Sequence, residues 1–402
     1  MPPESIRPTR RLHVVHVVFD LHGGGMETLV ADLARRFQGR VDVSVVSLSG
    51  RAGRVGTRIQ PLLHEFHVLR PLRGLSLLAP VGLVRCLRAI KPDVVHAHSG
   101  AWFKAALAAR LAGVPRVVYT EHGREHHDPV PGRWLDRLAA SLTDTVIAVS
   151  DRLSNYLHTV IGVPFRKLRT VANGVDVLAF SNDRPPSSLR LAFGIEPHAR
   201  IIGSVGRLQP VKSYHHLIEA LALLRTMPSG SDPIHLILVG DGPERERLER
   251  LAAELGVSSV VHFAGWTQHP VDCYRLFDVF ALTSRSEGAP VSLMEAMACG
   301  IVPVVTGVGA NAEILGPELA HQLVNVGDVP AIAEALRTAL TTCDRLRLGA
   351  LARRRIVGNY NLDQLVTQYE SAYRGMQVVG DRPGISRASA APAESSRRTH
   401  LA

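Results

Sequence analysis

Apolar residues along the chain fall into short runs of Val, Ile and Leu, and these alternate with stretches of helical spacing. Runs near 12–19, 42–48, 93–97, 116–121, 145–149 and 168–171 predict strands. Between them, "METLVADLARRF", "AWFKAALAARLAG" and "DRLSNYLHTVIG" carry apolar positions three and four apart, as amphipathic helices do. Residues 182–190, "NDRPPSSLR", form a polar Pro/Ser break. The alternation then restarts, with "RIIGSVGRL", "HLILVGDG", "VVHFAG", "DVFALTS" and "GIVPVV" as strands, each followed by a helix. Repeated strand–helix units imply a parallel sheet covered on both faces, and the break implies two doubly wound α/β domains side by side, 1–180 and 181–362. Residues 380–402 are small, polar and Arg-bearing, and are expected to be a disordered tail. In such sheets ligands bind at the carboxyl ends of the strands, so the informative residues should follow strands.

Composition narrows this picture. The chain has 402 residues, enough for two domains with their own cores, and its 46% hydrophobic and 5% aromatic content suits a soluble α/β protein. No apolar run reaches the roughly 18 residues of a membrane-spanning helix. The first stretch, "LHVVHVVFDL", reads as a buried strand rather than a signal peptide. Cys86, Cys273, Cys299 and Cys343 form no metal or redox spacing, and suggest small buried hydrophobes in a reducing cytoplasm. Charge is uneven. Residues 1–180 hold 24 Lys+Arg against 14 Asp+Glu, whereas residues 181–402 hold 22 of each, so the first half carries the whole net +10. A basic half meets something anionic; no zinc-finger, RNP or helix-turn-helix pattern points to nucleic acid.

After the first strand comes "DLHGGGMETLV", where Gly24 and Gly25 let backbone N–H groups approach a phosphate at a helix start. The spacing matches neither dinucleotide nor P-loop patterns, and a tight turn would explain it as well. "VGRLQPVKS" sets Arg207 and Lys212 five apart at the entrance to the helix "SYHHLIEALALL", where two cations can grip a diphosphate. Lys212 is the only lysine after residue 180, among 21 arginines. "VGDGPERERLERLA" lacks the third glycine of a dinucleotide turn and reads as structural. In "YTEHGREHHDP", His122 directly follows a strand and is the ligand-facing candidate, while His126 and His127 read as loop residues, not metal ligands. "SRSEGAPVSLMEAMACG" puts Glu287 just before a helix opened by Pro290, and Glu295 inside it within an apolar run. A carboxylate there needs a polar partner. Vicinal hydroxyls of a sugar and a ribose are such partners, and the helix start from Gly288 through Ala289 and Pro290 to Val291 would face them.

Taken together, "GGGME", "TEHG", "VIAVS", "NGVD", "VGRLQPVK", "LVGDGPE" and above all "SEGAPVSLMEAMACG" resemble the retaining glycosyltransferases of family four (glycosyl transferases group 1), from about residue 12 to about 376. The resemblance implies the GT-B fold, two Rossmann-like domains facing a central cleft, with a last helix (about 363–378) packing back on the first. It implies that Glu287 contacts the donor sugar, Glu295 the nucleotide ribose, and Arg207 and Lys212 the leaving diphosphate. The loop at Gly24 and Gly25 would close over that diphosphate, and His122 would lie beside the reacting carbon. No cofactor or metal is expected; a UDP- or GDP-linked sugar is the substrate. One departure stands out: "GVGANAEIL" replaces the family's glycine pair and proline before its Glu, although Glu313 still fits.

The expected function is transfer of a hexosyl group from a nucleotide-sugar to a glycan or lipid-diphosphate-linked acceptor in cell-surface polysaccharide or exopolysaccharide biosynthesis. A non-hydrolysing sugar-nucleotide epimerase of similar architecture is the alternative. The basic segments "RAGRVGTRIQ" and "RPLRGLSLLAPVGLVRCLRAIK" suggest peripheral attachment to an anionic membrane surface, on the cytoplasmic face. The competing reading is that the second of these packs its apolar side on its own sheet.

Overall fold

The computed structural model describes residues 10–70, 80–123, 130–180, 188–227 and 232–376. Two parallel sheets organise them. The first contains β1 (Leu12–Val18), β2 (Val41–Ser47), β3 (Phe66–Val68), β4 (Val94–His98), β5 (Arg116–Glu121), β6 (Thr145–Ala148) and β7 (Leu168–Thr170), in the order β3-β2-β1-β4-β5-β6-β7. The second contains β8 (Arg200–Val205), β9 (Ile234–Val239), β10 (Val261–Gly265), β11 (Val279–Leu282), β12 (Val302–Thr306) and β13 (Leu323–Val324), in the order β10-β9-β8-β11-β12-β13. Every registered pair is parallel, from Val14 beside Val43 and Val94 in the first sheet to Val279 beside Ile202 and Val302 in the second. The strand order reverses at β1/β4 and at β8/β11, the two places where an α/β sheet opens a crevice.

Central strands are apolar on both faces because helices cover both. Val14, Val15, Val17 and Val18 of β1 are wholly buried, as are Val279 to Leu282 of β11. The alternation in the sequence places eleven of these strands to within three residues at either end. The remaining two, β3 and β13, have only three and two residues and are too short to show a period. Helix Val81–Ile90, from the basic segment above, buries Leu83, Val84 and Leu87 against its own sheet. Its apolar side is therefore already used, as the competing reading has it for these residues; residues 71–79 lie outside the described part.

The chain passes between the domains twice, and the two crossings touch. Val175 donates its N–H to the Tyr360 carbonyl at 2.9 Å and accepts from Leu362 N at 3.0 Å. Beyond this contact, helix Leu362–Arg374 returns to the first domain, where Tyr369 and Tyr373 are buried against its sheet. The phenol of Tyr373 lies 2.8 Å from His96 Nδ1.

Candidate active site

The carboxyl ends of β1, β5, β8, β9 and β11 meet at one cleft of about 1510 Å³ between the domains. Gly24, Gly25 and His122 line it from the first domain, and Arg207, Lys212, Gly288 to Val291, Glu287 and Glu295 line it from the second. Every residue singled out from the sequence for this role thus reaches the same space. Glu313 does not. Its carboxylate instead accepts from the backbone N–H groups of Asp151 and Arg152 (3.3 Å each), tying the second domain to a helix start of the first. His126 and His127 lie outside the described residues.

Lys212 is held by a strained turn. It closes the 3₁₀ turn Pro210–Lys212, and Ser213 beyond it is left-handed (φ 49°), which is uncommon for a residue with a side chain. The Thr283 hydroxyl, just past β11, donates toward the carbonyls of Lys212 and Ser213 (3.3 and 3.1 Å) and fixes that peptide. The ammonium then reaches Glu287 Oε1 at 2.6 Å, and Ser284 Oγ donates to the same oxygen at 2.6 Å. Both charged side chains are largely buried, 18% and 9% exposed, so this pair is shielded from bulk water. The protein partners of Glu287 are thus an ammonium and a hydroxyl.

Arg207 reaches the other way. Its guanidinium donates to the Gly23 carbonyl and lies 3.7 Å from Glu27, so a second-domain cation bridges to the glycine loop of the first. Burial raises the pKa of the Glu27 carboxyl, and the nearby Arg207 charge opposes this. Below them, helix Val291–Ala298 begins at Pro290 with no side-chain cap, leaving its first N–H groups directed at the cleft. Glu295, one turn on, accepts from the Tyr274 phenol at 2.7 Å. Burial pushes its pKa up to about 7, with the Tyr274 hydrogen bond working in the opposite direction.

A glycine pair lets loops of the two domains approach closely. A Cβ on Gly288 would run into the His122 carbonyl oxygen, and one on Gly123 (φ 157°) would meet the Gly288 backbone at 3.2 Å. Only bare backbone fits between the loops here. Asn173 reinforces the junction, its amide donating to the Ala289 carbonyl at 2.8 Å. Behind His122 runs a line of imidazoles: its Nε2 lies 2.9 Å from His98 Nδ1, and His98 Nε2 lies 2.9 Å from His16 Nδ1. His96 sits beside them, between Tyr373 and Thr120 (2.8 Å each). Burial lowers the His122 pKa to about 4 and that of His16 to about 3, while His96 and His98 are held well below the usual range by burial and then by their neighbouring imidazoles. His16, His96 and His98 are close enough to share a metal ion. Five of their six ring nitrogens, however, already lie within hydrogen-bond distance of another side chain.

Sequence spacing gave no role to Glu27, Asn173, Tyr274 or Ser284. Glu27 and Ser284 stand within three residues of Gly25 and Glu287. Asn173 opens the "NGVD" motif quoted above, which marked the segment but gave this residue no role, and Tyr274 comes from a distant segment with no local signal.

The arrangement is one that can bind a large anion with attached hydroxyls: two cations, an open helix start and two carboxylates around one cleft. Known proteins agree. The family described as Glycosyltransferase Family 4 matches residues 23–177, and Glycosyl transferases group 1 matches residues 189–355. A GDP-mannose-dependent alpha-(1-6)-phosphatidylinositol monomannoside mannosyltransferase of Mycobacterium tuberculosis is 30% identical over 332 residues, 77% of this chain and 84% of that protein. The chain belongs to glycosyltransferase family four. A second relative of this glycosyltransferase is the Escherichia coli UDP-Gal:alpha-D-GlcNAc-diphosphoundecaprenol alpha-1,3-galactosyltransferase, 26% identical over 331 residues, 79% of this chain and 85% of that one. Among solved structures, Anabaena HepE in complex with UDP-glucose superposes with a TM-score of 0.77 at 22% identity, covering 91% of this chain and 100% of that one. The two sheets and these neighbours establish the GT-B fold. Glycosyl transfer in polysaccharide or glycolipid synthesis is the activity of the group, and the epimerase reading finds no support among these relatives.

Proposed function

We propose that this glycosyltransferase moves a hexosyl group from a nucleotide-sugar to a lipid-diphosphate-linked or glycan acceptor, with retention of anomeric configuration and without a divalent metal. The observation that carries the reading is the Lys212–Glu287 pair at 2.6 Å beside an uncapped helix start, with Arg207 reaching over from above. A diphosphate entering there would take over Lys212 and Arg207 as counter-ions and the helix N–H groups as donors. Those groups stabilise negative charge where it grows as the glycosidic bond breaks. Release of Lys212 frees the Glu287 carboxylate for the donor sugar's hydroxyls, and Glu295 is placed to receive those of the ribose. His122 sits beside the anomeric carbon, neutral. The departing phosphate oxygen is the base for the acceptor hydroxyl, which attacks from the same face.

Relatives with UDP-linked and GDP-linked donors leave the base open, and the undecaprenol-diphosphate acceptor of the E. coli relative supports a lipid-borne acceptor. Such an acceptor, in exopolysaccharide or related surface-glycan assembly, calls for an enzyme held at the cytoplasmic face of the membrane. Among the described residues no helix is long and apolar enough to cross one. The test is transfer from UDP- and GDP-linked sugars to a lipid-diphosphate-linked acceptor, with and without EDTA, the product's anomeric proton read by NMR. An inverted product, or activity abolished by chelation and restored by Mg²⁺ or Mn²⁺, would refute the mechanism.

A further inference from the structure

The helix Val130–Leu142 is built inside out. Ala139 and Ala140 are buried in a helix that packs on helix Trp102–Ala112, while Trp134, Leu135 and Leu138 stand 65%, 43% and 50% exposed. At these spacings the three large side chains share one outward stripe. The Arg137 guanidinium lies 5.0 Å from the Trp134 ring and donates to the carbonyls of Ile161 and Val160 (3.1 and 3.2 Å), so it is held at the stripe's edge. A second piece joins the same face. Lys167 Nζ binds the carbonyls of Ala140, Ser141 and Thr143 (2.9, 3.2 and 2.7 Å), which brings exposed Phe165 and Arg166 to the end of this helix. The cations shown beside the stripe are Arg137 at its edge and exposed Arg166 at its end, while the Lys167 ammonium is committed to the three carbonyls.

None of these side chains lines the donor cleft. Their exposed apolar surface is on the order of a few hundred Å², well short of the roughly 800 Å² per partner that a stable dimer buries. A Trp and leucines rimmed by arginines suit the boundary between phospholipid headgroups and acyl chains, where an indole and aliphatic stems go in and guanidinium groups remain on phosphate. We infer that helix Val130–Leu142, together with the Phe165–Lys167 turn, docks this domain on an anionic phospholipid bilayer. The inference rests on the proposed lipid-borne acceptor for its purpose, but the docking itself can be read without any sugar transfer.

The full chain is sedimented with phosphatidylcholine vesicles, with and without phosphatidylglycerol, at low and high salt. Binding should require phosphatidylglycerol and fade with salt, and Trp134→Ser/Leu138→Ser should lower the bound fraction about tenfold. Bromolipid quenching should reach the wild-type tryptophan signal and be lost in Trp134→Phe, since Trp102 is buried and Trp266 lies in the cleft. Arg85→Ser/Arg88→Ser, on the packed helix Val81–Ile90, should bind as the wild type does. Absence of binding to anionic vesicles, or equal binding by the double serine variant, overturns the inference. So does a wild-type dimer that the double serine variant dissolves, which would assign the stripe to a second copy of the chain. Transfer to a soluble acceptor should be unchanged in that variant; loss of transfer in the wild type would count against the proposed function instead.

Discussion

Replacing His16 by leucine should make the protein less sensitive to acid while making it less stable at neutral pH. His16, His96 and His98 are wholly buried and neutral in the fold, whereas in the unfolded chain each returns to a pKa near 6.5. Their folded pKa values are lowered, so the unfolded chain binds more protons below pH 6.5, and the contribution to stability is present above that pH and lost as pH falls. Each group then costs about 1.4 kcal/mol per pH unit, or about 2 kcal/mol at pH 5. Buried carboxyls act with the opposite sign. Glu295 and Asp32, raised to about 7 and about 6, bind protons in the fold first and offset about two of the histidines. The whole-protein curve therefore mixes both signs, and the comparison with a variant isolates one. His16→Leu leaves His98 Nε2 without its partner, a fixed cost of about 1–3 kcal/mol. Measured by urea unfolding, that deficit should shrink by about 2 kcal/mol between pH 7.5 and pH 5, because the variant no longer has this proton to take up. A deficit that stays constant over that range would refute the neutral, desolvated histidine core.

Lys212→Ala and Arg207→Ala should each lower turnover by about 10²–10³-fold, the scale of losing one charge at a leaving group; near-normal turnover in both would remove the diphosphate from their side of the cleft. Binding of a nucleoside diphosphate should hold Glu295 ionised and release about half a proton at pH 7, from a carboxyl whose pKa starts at about 7. Calorimetry in buffers of different ionisation enthalpy reads this, and Glu295→Gln should abolish the buffer dependence. Gly288→Ala should cost about 1–3 kcal/mol and most of the activity, because its methyl group meets the His122 carbonyl; a thermal melt and turnover like those of the wild type would mean the loops part freely.

Much of this was legible in the sequence because its signals are local. Strands such as β1 and β11 are continuous apolar runs, and Glu295 is conspicuous as a charge inside one. The glycine loop and the Arg207–Lys212 spacing sit directly after strands, where chemistry is expected. What the chain does not spell out is partnership across distance. The Lys212–Glu287 pair spans 75 residues and His16–His98 spans 82. Nor does hydrophobic spacing say which side of a basic amphipathic helix meets the sheet. Val81–Ile90 buries its leucines, while Val130–Leu142 buries alanines and exposes its large residues, and only the packed neighbours decide between these outcomes.

The double crossing between the domains has a mechanical consequence. Two covalent cords, hydrogen-bonded side by side at Val175 and at Tyr360 to Leu362, behave as a hinge pin rather than a tether. A single strand of chain would let one lobe twist, slide and swing; the paired cords suppress the first two and leave the opening angle as the soft degree of freedom. Bringing Arg207 to the Gly23 loop is then a search along one coordinate, with little orientational entropy left to lose. The energy of gripping a donor can go into the grip itself, instead of into finding the correct face of the opposite lobe.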